Sequence, residues 1–216
     1  MSKKLILFVR HGKTDWNGQF RFQGKSDIPL NDEGRMQARK LSLRLLAEKD
    51  FRIFSSPMAR AVETADIIAA SRSECDIQLR EGLAEMGFGS WEGRTLHEIE
   101  ADNPEELRQW REDPFTSAPS GGELFSALLP RVTDVLDEIR SLEDSRIVVV
   151  SHGGIIRAAL VALLNIPPAA SWRMKISNAS LTGVDLGRSR TSLSFLNDEL
   201  HSLLSEEEIK KIFFSA

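Results

Sequence analysis

Two of the four histidines in this chain stand in matching places. Arg10-His11-Gly12 follows the apolar run Leu5-Ile6-Leu7-Phe8-Val9, and Ser151-His152-Gly153-Gly154 follows Ile147-Val148-Val149-Val150. A third run, Phe51-Arg52-Ile53-Phe54, leads into Ser55-Ser56-Pro57-Met58-Ala59-Arg60. Three strands thus deliver His, Arg and His to their carboxyl ends, where open α/β sheets bind ligands. Arg10 comes directly off its strand. Arg60 falls in the first turn of a helix, where side chains lean toward the helix N-terminus. Helix N-termini favour anions, and guanidinium forks match phosphate oxygens. Two arginines, two imidazoles and strand-end amides therefore suit a phosphoryl group. A neutral imidazole is a competent nucleophile near pH 7, and a covalent intermediate divides a hard displacement into two easier ones. Arginines, instead of a metal, can neutralise charge on the equatorial oxygens.

The elements that must position these groups alternate. The spacing predicts strands at 5–9, 51–54, 77–79 and 147–150. It predicts helices over about 32–48, 57–70, 122–142 and 154–164, the last ended by Asn165 and Pro167-Pro168. Asn31 or Asp32 suits an N-cap, as does Ser56 with Pro57 at the first helical position. Residues 181–186 and 191–196 read as a hairpin turning near Gly187, and 205–214 as a short helix with an acidic start. The expected fold is a three-layer α/β/α sandwich, its sheet mostly parallel with one antiparallel strand. The whole of 1–216 reads as one domain. Residues 82–122 form an excursion over the site, rich in Gly, Pro and Trp, with a short helix near 104–112.

Composition narrows the function. The chain is 41% hydrophobic and 28% charged with a net charge of −4, which fits a globular protein and gives no basic surface for nucleic acid. Positive charge for an anionic ligand has to be local. One cysteine, Cys75, rules out an internal disulfide and points to a reducing, cytoplasmic setting. Lys3-Lys4 with five apolar residues is too short for a signal peptide and ends at Arg10. No apolar stretch approaches a membrane span.

Several patterns fail as alternatives. Gly12-Lys13-Thr14 ends like a nucleotide-binding P-loop, but the glycine required earlier is Leu7. Cys75 and Arg80 are one residue too close for a cysteine phosphatase loop, and Glu74 and Asp76 disfavour a thiolate. No carboxylate has metal-ligand spacing near His11 or His152, so neither metal nor cofactor is expected. His97 and His201 lie in polar helical stretches and read as surface residues.

The segment Arg10-His11-Gly12-Lys13-Thr14-Asp15-Trp16-Asn17 resembles the signature of the histidine phosphatase superfamily, the phosphoglycerate-mutase-like enzymes. Further matches follow in order: Arg21-Phe22-Gln23-Gly24, Asp27-Ile28-Pro29-Leu30, Gly34 with Gln37-Ala38, Ser55 to Ala61 with Thr64, Phe88-Gly89-Ser90-Trp91-Glu92-Gly93, and Ser151-His152-Gly153-Gly154. The resemblance spans about residues 5–185. It implies that His11 becomes phosphohistidine and that Arg10, Arg60 and His152 bind phosphate with help from Asn17 and Gly153. It also implies that Gln23 and Gly24 contact substrate and that Glu85 is the proton donor that later activates water. Glu81 lacks the matching offset.

Within that family, a phosphatase of small phosphomonoesters is expected. Residues 95–106 are acidic, with Glu98, Glu100, Asp102, Glu105 and Glu106, and lack a Lys-Arg-Arg cluster, whereas the resemblance implies that a basic stretch there contributes in the cofactor-dependent mutases. The run 88–93 and Gly121-Gly122-Glu123 resemble the broad-specificity and α-ribazole phosphatases, although Leu124 replaces the Ser usual there. The alternatives are phosphoglycerate mutase and an inactive phosphate-binding or regulatory protein. Trp91, Trp110 and Phe115 are expected at the mouth of the site, and the acidic run is expected to favour neutral or apolar leaving groups. A homodimer is compatible with the sequence.

Overall fold

A computed structural model describes residues 4–48, 51–72, 76–187 and 190–214; Cys75 lies outside them. Strand β1 (Lys4–Arg10) is followed by a short helix α1 (Asp15–Gly18) and by α2 (Asp32–Leu45). Next come β2 (Arg52–Ser55), α3 (Ala59–Ala69) and β3 (Ile77–Leu79). The excursion holds α4 (Leu96–Asp102) and α5 (Pro104–Glu112), and α6 (Phe125–Ser141) returns the chain to the body of the domain. Then follow β4 (Arg146–Ser151), α7 (Gly153–Leu164), α8 (Pro168–Ser171), β5 (Leu181–Leu186), β6 (Thr191–Asp198), α9 (Leu200–Leu203) and α10 (Glu206–Phe214).

The six strands form one sheet in the order β3-β2-β4-β1-β5-β6. The pairs β1–β4, β2–β4 and β2–β3 are parallel, and β5 runs antiparallel to both its neighbours. The single antiparallel strand expected from the sequence is therefore β5. Continuous apolar runs in β1 and β4 are what a central strand buried on both faces requires. Their side chains alternate: Ile6, Phe8, Ile147 and Val149 pack toward α6 and α7, whereas Leu7, Val9, Val148 and Val150 pack toward α2 and α3. From β1 the chain moves toward β2 on one side; from β4 it moves toward β5 on the other. Strand order thus reverses between β1 and β4, which opens a crevice beyond their carboxyl ends.

Local chemistry sets the element ends. Asn31 caps α2 by accepting from the Gly34 N–H at 2.9 Å. Helix α7 stops at Asn165, which adopts φ 50°, ψ 45°. Lys4 is buried, and its ammonium donates to the carbonyls of Ile139, Arg140 and Leu142 at the end of α6, where a cation complements the helix dipole. Two expectations are corrected. Ser56 does not cap α3: the N-cap is Met58, with no side-chain bond, because the Ser56 hydroxyl turns toward His152. His201 is not at the surface. It is fully buried beside Arg44, which pairs with Asp198 at 2.5 Å. His97 is exposed, on α4.

Candidate active site

Both histidines lie where β1 and β4 end. The His11 N–H donates to Ser151 O at 2.9 Å, and the two imidazole centroids are 5.1 Å apart. His11 Nδ1 lies 2.7 Å from Gly12 O. A carbonyl can only accept, so Nδ1 carries the proton and Nε2 keeps its lone pair. Burial, with Arg60 and Arg10 close by, pushes His11 well below the ordinary imidazole range, against the opposing bond to Gly12. His152 is lowered in the same way, by burial first and then by Arg60, His11 and Arg10. Its Nε2 meets Ser56 Oγ at 2.7 Å. That oxygen also accepts from Met58 N and can donate its own hydrogen to Nε2, the arrangement that places the proton of His152 on Nδ1. This Nδ1 is buried and has no protein partner.

The arginines are held by backbone carbonyls. Arg60 donates to Gly24 O at 2.8 Å and Ser26 O at 2.9 Å, and Arg10 to Ile176 O at 2.7 Å. Their Nε atoms are buried without a protein partner. Burial brings Arg10 down to about 10 and lowers Arg60, so both stay cationic near neutrality. Gly24 adopts φ +54°, and a Cβ there would run into Glu92. Glu92 accepts from the N–H groups of Lys25, Ser26 and Phe88. The 24–26 turn is thereby fixed around Arg60.

Glu85 reaches the site from the start of the excursion. Its carboxylate accepts from Met86 N at 3.0 Å and from Gly154 N, in the first turn of α7, at 3.3 Å. A Cβ on Gly154 would lie 2.5 Å from Glu85 Oε1, so this approach needs glycine. The backbone before Glu85 is anchored by Arg131, which donates to Gly82 O and Ala84 O, and by Ser151 Oγ, which donates to Leu83 O. Glu81 is exposed and outside the cavity.

These groups open into a cavity of about 180 Å³, small for a ligand site. Arg10, His11, Asn17, Gln23, Gly24, Arg60, Glu85 and Gly153 all line it; His152, its ring centroid 5.1 Å from that of His11, is not among the lining residues. Sequence reasoning missed Arg21, Phe22, Arg157 and Trp172, which also line it. Arg157 was within reach of the sequence: it lies one helical turn after Gly153, on the same face of α7. It donates to Gly153 O at 3.1 Å, Ser171 O at 3.2 Å and Met174 O at 3.0 Å, and its guanidinium lies 5.2 Å from the Trp172 ring.

The expected aromatic mouth is corrected. Trp91 is buried and donates to Glu106 at 2.6 Å. Trp110 packs among Phe22, Phe88, Trp91 and Trp172, and Phe115 packs on Phe125. From the excursion, Met86 and Phe88 line the cavity in their place. The acidic run does not reach the site either. Glu98 pairs with Arg21, Glu100 with Arg111, Asp102 with Arg94 and Glu105 with Arg108.

An α/β domain that gathers two imidazoles, arginines and one carboxylate at a switch point is built for phosphoryl transfer. The chain belongs to the histidine phosphatase superfamily (branch 1), whose family model matches residues 6–199. It is a phosphomonoester hydrolase of that family. It is 33% identical over 199 residues to phosphoserine phosphatase 1 of Hydrogenobacter thermophilus, covering 92% of this chain and 93% of that protein. It is 37% identical over 156 residues to phosphoglycerate mutase-like protein 4 of Arabidopsis thaliana, covering 71% and 68%. The crystal structure of the α-ribazole phosphatase from Shigella flexneri superposes with a TM-score of 0.82 at 25% identity, covering 90% of this chain and 96% of that one. No helix among the described residues is long and apolar enough to cross a membrane.

Proposed function

We propose that His11 is the nucleophile and Glu85 the acid–base of this phosphatase. The observation that carries the reading is the bond from His11 Nδ1 to Gly12 O, which leaves Nε2 as a lone pair beside Arg10 and Arg60. In the first step Nε2 attacks phosphorus, the ester P–O bond breaks, and the carboxylic acid of Glu85 protonates the departing oxygen. In the second, the Glu85 carboxylate takes a proton from water, the water oxygen attacks phosphorus, and the P–N bond breaks. His11 is restored and inorganic phosphate leaves. Arg10, Arg60, Asn17, the Gly153 amide and the Nδ1–H of His152 hold the phosphoryl oxygens. Gln23 and Gly24 face the substrate. The charge is met by arginines, with no metal or cofactor assigned a part.

The cavity also favours one class of leaving group. Arg10, Arg60 and Arg157 have no ion-pair partner among the described residues, and Glu85 is the one carboxylate among the lining side chains. With Glu85 protonated for its acid role, three positive charges face a phosphate dianion. The remaining charge suits a carboxylate on the leaving group, as in phosphoserine, after which the Hydrogenobacter relative is named. This replaces the expectation of neutral leaving groups, because Glu98, Glu100, Asp102 and Glu105 are each paired with an arginine and Glu106 accepts from Trp91. We place the reaction in the cytoplasm, in a single domain that acts on a small phosphomonoester and not on nucleic acid; light scattering tests whether it works as a homodimer. Rapid quenching of the protein with ³²P-labelled phosphoserine should trap an acid-labile label. Its persistence in His11→Ala would overturn the assignment of the nucleophile.

A further inference from the structure

We propose that Asn178 is a positioning residue for both the Asn17 amide and His11, a proposal that rests on the roles given to those two groups above. Asn178 lies in the loop between α8 and β5. Its Nδ2 is 3.1 Å from His11 O, 3.4 Å from Gly12 O and 3.1 Å from Asn17 Oδ1. Two of these partners are backbone carbonyls, which only accept, so the group that Asn178 presents is its NH2. Asn17 Oδ1 also accepts from Thr14 N at 3.2 Å, a group that can only donate, and from Thr14 Oγ1 at 3.1 Å. Two obligate donors therefore pin the oxygen of Asn17 away from the cavity that this residue lines, and turn its NH2 toward the phosphoryl oxygens. The same Asn178 NH2 touches Gly12 O, the carbonyl that fixes the tautomer of His11.

The loop around Asn178 grips the end of β1 at further points. Ala179 N donates to Arg10 O at 2.9 Å and to His11 O at 3.1 Å. Arg10 donates to Ile176 O, and Asn197 Oδ1 accepts from Ser177 N at 2.5 Å. Ala179 is buried with φ +55°. That conformation is disfavoured for a non-glycine residue and persists only where the surroundings impose it. Without Asn178 the Asn17 oxygen keeps only its bonds from Thr14, and the amide is held less firmly against turning an oxygen toward phosphate, where a donor is needed.

The test is a double-mutant cycle of Asn178→Ala and Asn17→Ala, with kcat, KM and the inhibition constant for orthovanadate measured on phosphoserine. Asn178→Ala should lower kcat/KM by roughly 10²-fold, the scale of a small misplacement, and weaken vanadate. It should cost much less once Asn17 is Ala. Asn178→Asp, which sets a carboxylate beside His11, should move the acid limb of kcat/KM to higher pH. Unchanged kcat/KM in Asn178→Ala while Asn17→Ala is impaired would overturn this proposal alone, as would strictly additive losses. Full activity in Asn17→Ala would overturn the reading of Asn17 and this proposal with it. If the Asn178 variants fail to fold, NMR on the unaltered protein decides. The Asn178 NH2 should exchange slowly and stay unshifted as vanadate is added, while the Asn17 NH2 shifts; rapid exchange at Asn178 or an unmoved Asn17 would refute the proposal.

Discussion

In the proposed reading, the phosphoryl half of the cavity comes from strand ends and a helix N-terminus, whereas its leaving-group half is assembled from side chains on separate segments. On the first side, His11, Arg10 and Gly153 take their places from β1 and β4, which pair in register over six residues. Backbone carbonyls hold the guanidinium groups. On the second side, Phe22, Met86, Phe88, Arg157 and Trp172 come from four stretches of chain and meet only in the folded state. The sheet supplies a fixed reactive centre, and the loops above it supply discrimination, the usual division in α/β enzymes. Substitutions on the two sides should accordingly differ in kind: losses of chemistry on one, changes of preference on the other.

The largest effect should come from His11→Ala, which removes the atom proposed to attack phosphorus. Turnover should fall by four orders of magnitude or more, roughly the scale for a missing nucleophile, with the fold intact by circular dichroism. In the parent enzyme the acid limb of kcat/KM should lie well below pH 6.5. His11 is held neutral by burial and its arginines, and the limb appears only once it is protonated. An acid limb near 6.5 would place an ordinary, exposed histidine at the centre. Next, Glu85→Gln should cost about 10²–10³-fold on phosphoserine and far less on p-nitrophenyl phosphate, whose leaving group needs no proton. Equal losses would remove Glu85 from the acid role. Gly154→Ala should cost about tenfold in kcat, since its methyl group would displace the Glu85 carboxylate.

Arg157→Gln tests the other half. It should raise KM for phosphoserine about tenfold, the value of one charged contact, and leave p-nitrophenyl phosphate within twofold. A uniform loss on both substrates would move Arg157 to the phosphoryl side. The smallest effect should lie under the site. His201 is lowered to about 4, chiefly by burial and by Arg44. Between that value and the ordinary 6.5 the unfolded chain binds a proton that the folded chain refuses, so stability rises with pH across this window. His201→Gln should flatten the rise in Tm between pH 4 and 6.5 by a few degrees. His11 and His152 contribute with the same sign, and a variant with an unchanged slope would assign the effect to them.

Legibility in the sequence followed the same division. Arg10, His11 and His152 sit at the ends of apolar strands, and Arg60 opens the helix after a third; such runs signal buried central strands without any knowledge of their neighbours. The aromatic wall could not be read this way, because Trp91 and Trp172 look alike in sequence. Only packing decides that one donates to Glu106 in the excursion core and the other faces the cavity. Ser56 had the right position for a cap and was taken by His152, so a tertiary contact overrode a local preference. His201 misled because its neighbours are polar, although Arg44 and Asp198 pair across it and leave a dry place for a neutral ring. Asn178 carries no local signal at all; its importance comes from three acceptors brought to it by β1 and α1.

The aromatic wall has one more consequence, an optical one. The chain has four tryptophans and no tyrosine, so its near-ultraviolet emission is indole emission. Three of the four, Trp91, Trp110 and Trp172, stand in a chain of edge-on contacts 5.4 Å between centroids. The fourth, Trp16, packs beside Gly93 at the foot of the same excursion. The native indole fluorescence of this enzyme therefore reports on the excursion and on the Trp172 side of the cavity, while the Phe, Val and Ile side chains of the central sheet add little to it.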